Sequence, residues 1–236
     1  MKIPCELKFF SKRASAGYAL QPVDPLFRFT PPSWRYALFP QGVRTVRTSP
    51  LETDPFLFRR FADCSFSPDS YLCFADRFGT LTGGCDALPL IASFHTVVLE
   101  ALNIQPGVPR WLIASRSKHL SAHLRLAPGA LRRRSGGKFA NVLHVILRDG
   151  LRAKIEKPSA FSLLPMMVLK PRNLMVAIAL QTARHLAGET KSVVQCLQCS
   201  EYFEVGPTTG RRSTSMFCSR KCQERHRYII RKRSRD

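Results

Sequence analysis

Apolar positions along this chain recur mainly at spacings of three and four, which predicts helices separated by short polar or proline-rich breaks. The clearest case is "SPDSYLCFADRFG" (67–79), in which Tyr71, Phe74, Ala75 and Phe78 fall on one face. Ser67 stands where an N-cap hydroxyl is useful, Pro68 suits the first helical position, Asp69 lies in the first turn and Gly79 stops the run. From Asp86 to Ile104, "DALPLIASFHTVVLEALNI" is almost wholly apolar, becomes helical in period towards its end, and is closed by "QPGVP". "RWLIASRSKHLSAHLRLA" (110–127) predicts another helix, and "ALRRRSGG" (130–137) an exposed basic loop.

"KFANVLHVILRDGLRAKI" (138–155) places Phe139, Val142, Leu143, Ile146, Leu147 and Leu151 at helical spacing. Asp149-Gly150 is also compatible with a hairpin turn. "FSLLPMMVL" (161–169) reads as a short extended segment. "PRNLMVAIALQTARHLAG" (171–188) begins with proline, ends with glycine and repeats Leu174, Ile178 and Leu186 helically. Residues 21–50 carry six prolines, each of which removes a donor and turns its predecessor away from helix, so irregular structure with short extended pieces is expected there. No repeat of solenoid length is visible. The resulting expectation is a mainly α fold with little β: a proline-rich segment (1–50), a helical body (51–190) and a small C-terminal module (191–236).

Charge changes the picture. Of 236 residues, 37 are Lys or Arg and 16 are Asp or Glu, giving a net charge of +21. So cationic a chain calls for an acidic partner, nucleic acid ahead of an acidic protein surface or anionic lipid. The cations concentrate between Gly107 and Lys157 and again from Arg211 to the end. The N-terminus has no apolar signal-peptide core, and no run approaches the ~20 apolar residues of a membrane span, so a soluble, cytoplasmic protein without membrane contact is expected.

Thiols stay reduced in that compartment, which makes eight cysteines candidates for metal ligation or burial before disulfides. Cys5, Cys64, Cys73 and Cys85 are scattered and fit no ligand pattern. Cys196 and Cys199 form C-x2-C, whose short span lets the backbone curl round a metal, and Cys218 and Cys222 form C-x3-C, whose spacing sets two sulfurs one helical turn apart. Four thiolates fill a tetrahedral Zn2+ and leave no open position for a substrate, so a structural zinc site is expected. The resulting net charge of about −2 would be offset by Arg211, Arg212, Arg220, Lys221 and Arg225. His226, four residues beyond Cys222, is placed to assist as a ligand or to stand on the surface of a basic helix.

The stretch "CLQCSEYFEVGPTTGRRSTSMFCSRKCQERHRYIIRKR" (196–233) resembles the C-terminal zinc finger of a group of uncharacterised bacterial proteins that read C-x2-C, then FEVGPxTGRR, then FCS. It is similar, more loosely, to the CGNR-type zinc fingers that end bacterial transcriptional regulators, although it reads "CQER" at the last cysteine where that group has its namesake residues. "DPFLFRRFADCSFSPDSYLCFADRFGTLTG" and "PRNLMVAIALQTARHLAG" resemble the body of the first group. The resemblance implies a treble-clef or ribbon-like zinc module on a helical body, with Cys196, Cys199, Cys218 and Cys222 as ligands; the departure at the last cysteine weakens any transfer of a regulatory role and leaves the metal site intact.

Nothing predicts an enzyme. "HLSAH" gives His119 and His123 metal-pair spacing but lacks the carboxylate a zincin sets after its first histidine. "LTGGCD" (81–86) is too short for a phosphate cradle, and Asp54, Asp63, Asp69, Asp76 and Asp86 sit in cap-like or surface contexts without forming a pair. The expected function is therefore zinc-supported nucleic-acid binding, DNA over RNA, with Arg211, Arg212, Arg225, Arg227, Arg231, Lys232 and Arg233 contacting phosphates along a basic C-terminal helix. The alternative is a protein-interaction module whose zinc stabilises a platform for an acidic partner.

Overall fold

The computed structural model describes residues 5–7, 11–22, 34–42, 44–48, 54–104, 138–156, 166–188, 192–206 and 209–233. The helix expected at 110–127, the basic loop at 130–137 and the His119/His123 pair lie outside them. The chain divides into two compact units, Met1–Ala183 and Arg184–Asp236.

The first unit is not the mainly α body that apolar spacing predicts. It is mixed α/β. Its strands are β1 (Cys5–Leu7), β2 (Ser11–Ala14), β3 (Tyr18–Pro22), β4 (Tyr36–Pro40), β5 (Thr45–Thr48), β6 (Asp86–Ala87), β7 (Leu151–Glu156) and β8 (Met166–Pro171). They form three small sheets, in the orders β1-β8-β7, β3-β4-β6 and β2-β5. The prolines that argue against regular structure stand at strand ends, Pro22 opposite Tyr36 and Pro40 opposite Tyr18, where the missing donor costs least.

Among the described residues five helices accompany them: α1 (Leu57–Ala62), α2 (Pro68–Phe78), α3 (Leu88–Ala101), α4 (Lys138–Gly150) and α5 (Leu174–Leu186). Helix α2 follows its local signals closely. Ser67 Oγ accepts from Ser70 N at 3.2 Å, and Tyr71, Phe74, Ala75 and Phe78 are the buried positions. Helix α3 is buried on every side, only Glu100 reaching partial exposure. Its apolar side chains pack with Leu57, Phe58 and Phe61 of α1, Val142, Leu143 and Ile146 of α4, and Leu174 to Ala179 of α5 in one core.

A helix buried all round must satisfy its polar groups within itself or through neighbours. Ser93 Oγ and Thr96 Oγ1 donate to the carbonyls four residues back, Pro89 and Ala92. His95, between them, joins Tyr71 Oη through Nδ1 at 2.9 Å and the Ala62 carbonyl through Nε2 at 3.1 Å. A carbonyl only accepts, so Nε2 carries the proton and Nδ1 takes the tyrosine's hydrogen bond. Two of the acids expected in cap-like or surface contexts are buried. Asp54 accepts from Phe56 N and pairs with Arg60 at 2.9 Å, while Asp86 accepts from Leu81 N, Thr82 N and Thr82 Oγ1. Asp86 therefore closes the "LTGGCD" loop with its own carboxylate. Burial raises its pKa, and those three donors offset the rise only in part.

Helix α4 ends at Gly150, and Leu151, expected to extend its apolar face, begins β7 instead. Asp149-Gly150 is accordingly neither a hairpin turn nor mid-helix. Gly150 is required by close approach: an added Cβ would collide with Val176 Cγ2 and come within 3.3 Å of Val176 Cβ. Gly150→Ala is expected to lower the stability of this unit by about 1–3 kcal/mol, as overpacked cores do. Urea unfolding followed by tryptophan fluorescence measures it, and the added change Val176→Ala should recover much of the loss. Equal stability of Gly150→Ala and the parent would contradict the packing described.

Candidate metal centre and cationic helix

The second unit holds β9 (Ser192–Gln195), β10 (Tyr202–Val205) and α6 (Arg220–Arg233). The two strands pair antiparallel, Tyr202 opposite Gln195 and Val205 opposite Ser192, so the Cys196–Cys199 segment forms the tip of the hairpin. Ser200 adopts φ 57°, an uncommon left-handed conformation that turns the chain back into β10. Its N–H closes on the Cys196 carbonyl at 2.9 Å, and Cys196 N bonds Glu201 O at 2.9 Å. Leu197 N bonds Met216 O at 3.1 Å, which ties this knuckle to the segment that carries the second cysteine pair.

Cys218 and Cys222 are not both helical, as their spacing predicts. Cys218 lies two residues before α6, Ser219 caps the helix by accepting from Cys222 N at 3.2 Å, and Cys222 stands in the first turn. The cap that starts the helix also fixes the last ligand.

The four sulfurs lie within 4.8 Å of one another, with Cys199 to Cys218 at 3.6 Å and Cys218 to Cys222 at 3.5 Å. A tetrahedral ion with ligand bonds of ~2.3 Å separates its sulfurs by about 3.8 Å, so the arrangement fits such an ion. Electrostatics agree. Burial raises the Cys196 thiol's pKa, but backbone hydrogen bonds from Cys218, Cys199 and Gln198 outweigh it and bring it to about 6. Burial, together with the hydrogen-bonded thiols of Cys222, Cys199 and Cys196, pushes Cys218 up to about 12. One thiolate is thus accommodated readily, whereas collecting four requires a cation. These four cysteines could hold a metal ion.

His226 is not in that cluster. Its ring packs on Phe217 with centroids 5.2 Å apart. Around the ligands, among the described residues, Cys196, Phe203 and Val205 are fully buried, with Val194, Phe217, Cys218 and Cys222 against them. The alternation Tyr202, Phe203, Glu204, Val205 in the sequence is the signal for that strand, and the helical reading passed over it. Of the other cysteines, Cys73 and Cys85 are exposed, and burial raises the half-buried Cys64 to about 12, which leaves it a poor thiolate.

Arg211 and Arg212 are exposed between β10 and α6. Arg211 is held in place: Gly206 N bonds its carbonyl at 2.9 Å, its own N–H reaches Thr209 Oγ1 at 3.2 Å, and its guanidinium lies 5.5 Å from the Phe203 ring centroid. Arg225, Arg227, Arg231, Lys232 and Arg233 are all exposed on α6, as are Arg220 and Lys221. No residue of α6 is fully buried; Cys222, His226 and Ile229 make its inner stripe, and cations occupy most of the remainder. Tyr228 rises among them, 68% exposed. A cleft of about 480 Å³ lies between residues 211–219 and the first turn of α6. No described helix is long and apolar enough to cross a membrane. No protein family, curated protein or solved structure matches this chain.

Proposed function

We propose that the second unit is a zinc module that binds nucleic acid, DNA in preference to RNA, through the exposed cationic surface of α6. Binding, not catalysis, is the role assigned. The observation that carries it is the helix itself: seven exposed Lys and Arg on fourteen residues, against Glu224, which is engaged with Arg220 at 2.9 Å. A helix of this length spans about 21 Å, enough to follow several phosphates. Each phosphate contacted releases condensed counterions, so binding would weaken steeply with salt. Zinc is favoured because four thiolates at tetrahedral separations suit a redox-inert, borderline-soft ion. The likeness of residues 196–233 to zinc fingers of bacterial regulators is what favours DNA.

Fluorescence anisotropy with a labelled oligonucleotide, measured across a salt series, tests the reading. Neutralising Arg231, Lys232 and Arg233 should flatten the logarithmic salt slope by roughly 0.9 per lost contact, about 2 to 3 in all. Neutralising Arg152, Lys154 and Arg172, three exposed cations of the first unit, should leave it nearly unchanged. Equal losses would mean a diffuse cationic surface. No binding at ~50 mM salt would transfer the assignment to an acidic protein partner.

A further inference from the structure

The cleft at the root of α6 differs in character from the helix. Arg211 and Arg220 line it, together with Thr214, Ser215 and Gln223, and no acid is among its lining residues. Arg211 is held over Phe203, while Arg220 is exposed and paired with Glu224, from which a phosphate would have to take it over. The same cleft is lined by the apolar Met216, which remains 56% exposed although Leu197 N bonds its carbonyl, and by Phe217 and the ligand Cys218. Its volume falls in the ~300–1,000 Å³ range of small-molecule sites, more than a lone phosphate needs.

Cationic rims, hydroxyl and amide donors, and a polarisable apolar surface together match a nucleotide: an anion joined to a flat ring with a hydrogen-bonding edge. An acidic side chain would satisfy the arginines and leave Met216 without a partner. We propose that this cleft seats one unpaired nucleotide of a strand bound along α6, its phosphate between Arg211 and Arg220, its base on Met216 and its edge towards Gln223. The inference rests on the nucleic-acid reading above and deepens it: phosphates along the helix give affinity for any strand, whereas the cleft selects strands with a base free of pairing. A paired base cannot enter, because its face is stacked and its edge engaged.

The test uses the full-length, metal-loaded protein and a labelled twelve-nucleotide DNA, single-stranded or annealed to its complement, at one salt concentration. The single strand should bind severalfold, up to about tenfold, more tightly than the duplex, the scale of one thioether–ring contact. Met216→Ser should bring that ratio close to one without changing duplex affinity, and Met216→Leu should keep it. Metal content serves as the folding control; if Met216→Ser lowers it, Gln223→Ala carries the same expectation. A ratio indifferent to these changes, or a preference for duplex, overturns the cleft while leaving the DNA reading intact. No binding of either form overturns both.

Discussion

Taking the metal away should unfold residues 192–233 and leave the Met1–Ala183 unit standing. The second unit has little else to hold it. Phe203 and Val205 are its fully buried apolar side chains apart from the ligand Cys196, and each contributes about 1.5–3 kcal/mol. A structural zinc contributes on the order of 10–16 kcal/mol of apparent binding free energy in small fingers. Both elements that frame the cluster depend on it: the hairpin is joined at its tip, and α6 is anchored through Cys222 in its first turn. Purified protein should carry about one zinc, and Cys199→Ser or Cys222→Ser should remove nearly all of it, because the remaining thiols leave the tetrahedron incomplete. Cys73→Ser, at an exposed position on α2, should retain it. Metal analysis reads the stoichiometry. Far-ultraviolet circular dichroism before and after chelation reads the loss of α6. Full zinc content in both ligand variants would refute the site; iron in place of zinc would refute the ion and keep the cluster.

How far the sequence discloses this molecule depends on how local each signal is. Helix α2 is legible because Ser67, Pro68 and Gly79 act within a turn of the residues they order. The four cysteines are legible because two close pairs at ligand spacing restrict the chemistry before the fold is known. The sheets are different. β1 pairs in parallel with β8 across most of the chain, Cys5 opposite Met167, and three or four residues of strand carry no pattern that identifies so distant a partner. One strand was readable: Leu151, Ala153 and Ile155 alternate with Arg152, Lys154 and Glu156, a period of two that the preceding helical run of apolar residues masks. The cleft was not readable, because Arg211, Met216 and Gln223 meet only after the knuckle has bonded the Met216 carbonyl.

A histidine at the centre of an apolar helix also escapes a pattern built on hydrophobicity, and it makes the stability of the first unit depend on acid. His95 is wholly buried between Tyr71, the Ala62 carbonyl and the rings of Phe61 and Phe66. Burial lowers its pKa from 6.5 to about 4, the hydrogen bond to Ala62 only partly offsetting it. Above pH ~6.5 the ring is neutral folded or unfolded, and its full contribution is present. As pH falls towards 4 the unfolded chain takes up a proton that the folded chain refuses, so stability declines by up to ~1.4 kcal/mol per pH unit, about 3 kcal/mol in all, and levels off below the folded pKa. At the other extreme burial raises the Tyr71 hydroxyl well above 10, so stability also falls once an unfolded tyrosine begins to ionise. Trp34 is buried in the core of the first unit and no tryptophan lies in residues 184–236, so fluorescence in urea reports the unfolding of the first unit without interference from metal loss in the second. His95→Gln offers an amide to both partners and cannot titrate. It should be less stable than the parent at pH 7, yet the gap should narrow by about 3 kcal/mol by pH 4, because the parent alone loses His95's contribution. Asp86 and the remaining histidines are common to both proteins and cancel in that difference. A gap independent of pH would mean that His95 takes up its proton as readily in the core as in the unfolded chain, and the buried, neutral ring bonded to Ala62 and Tyr71 would have to be abandoned.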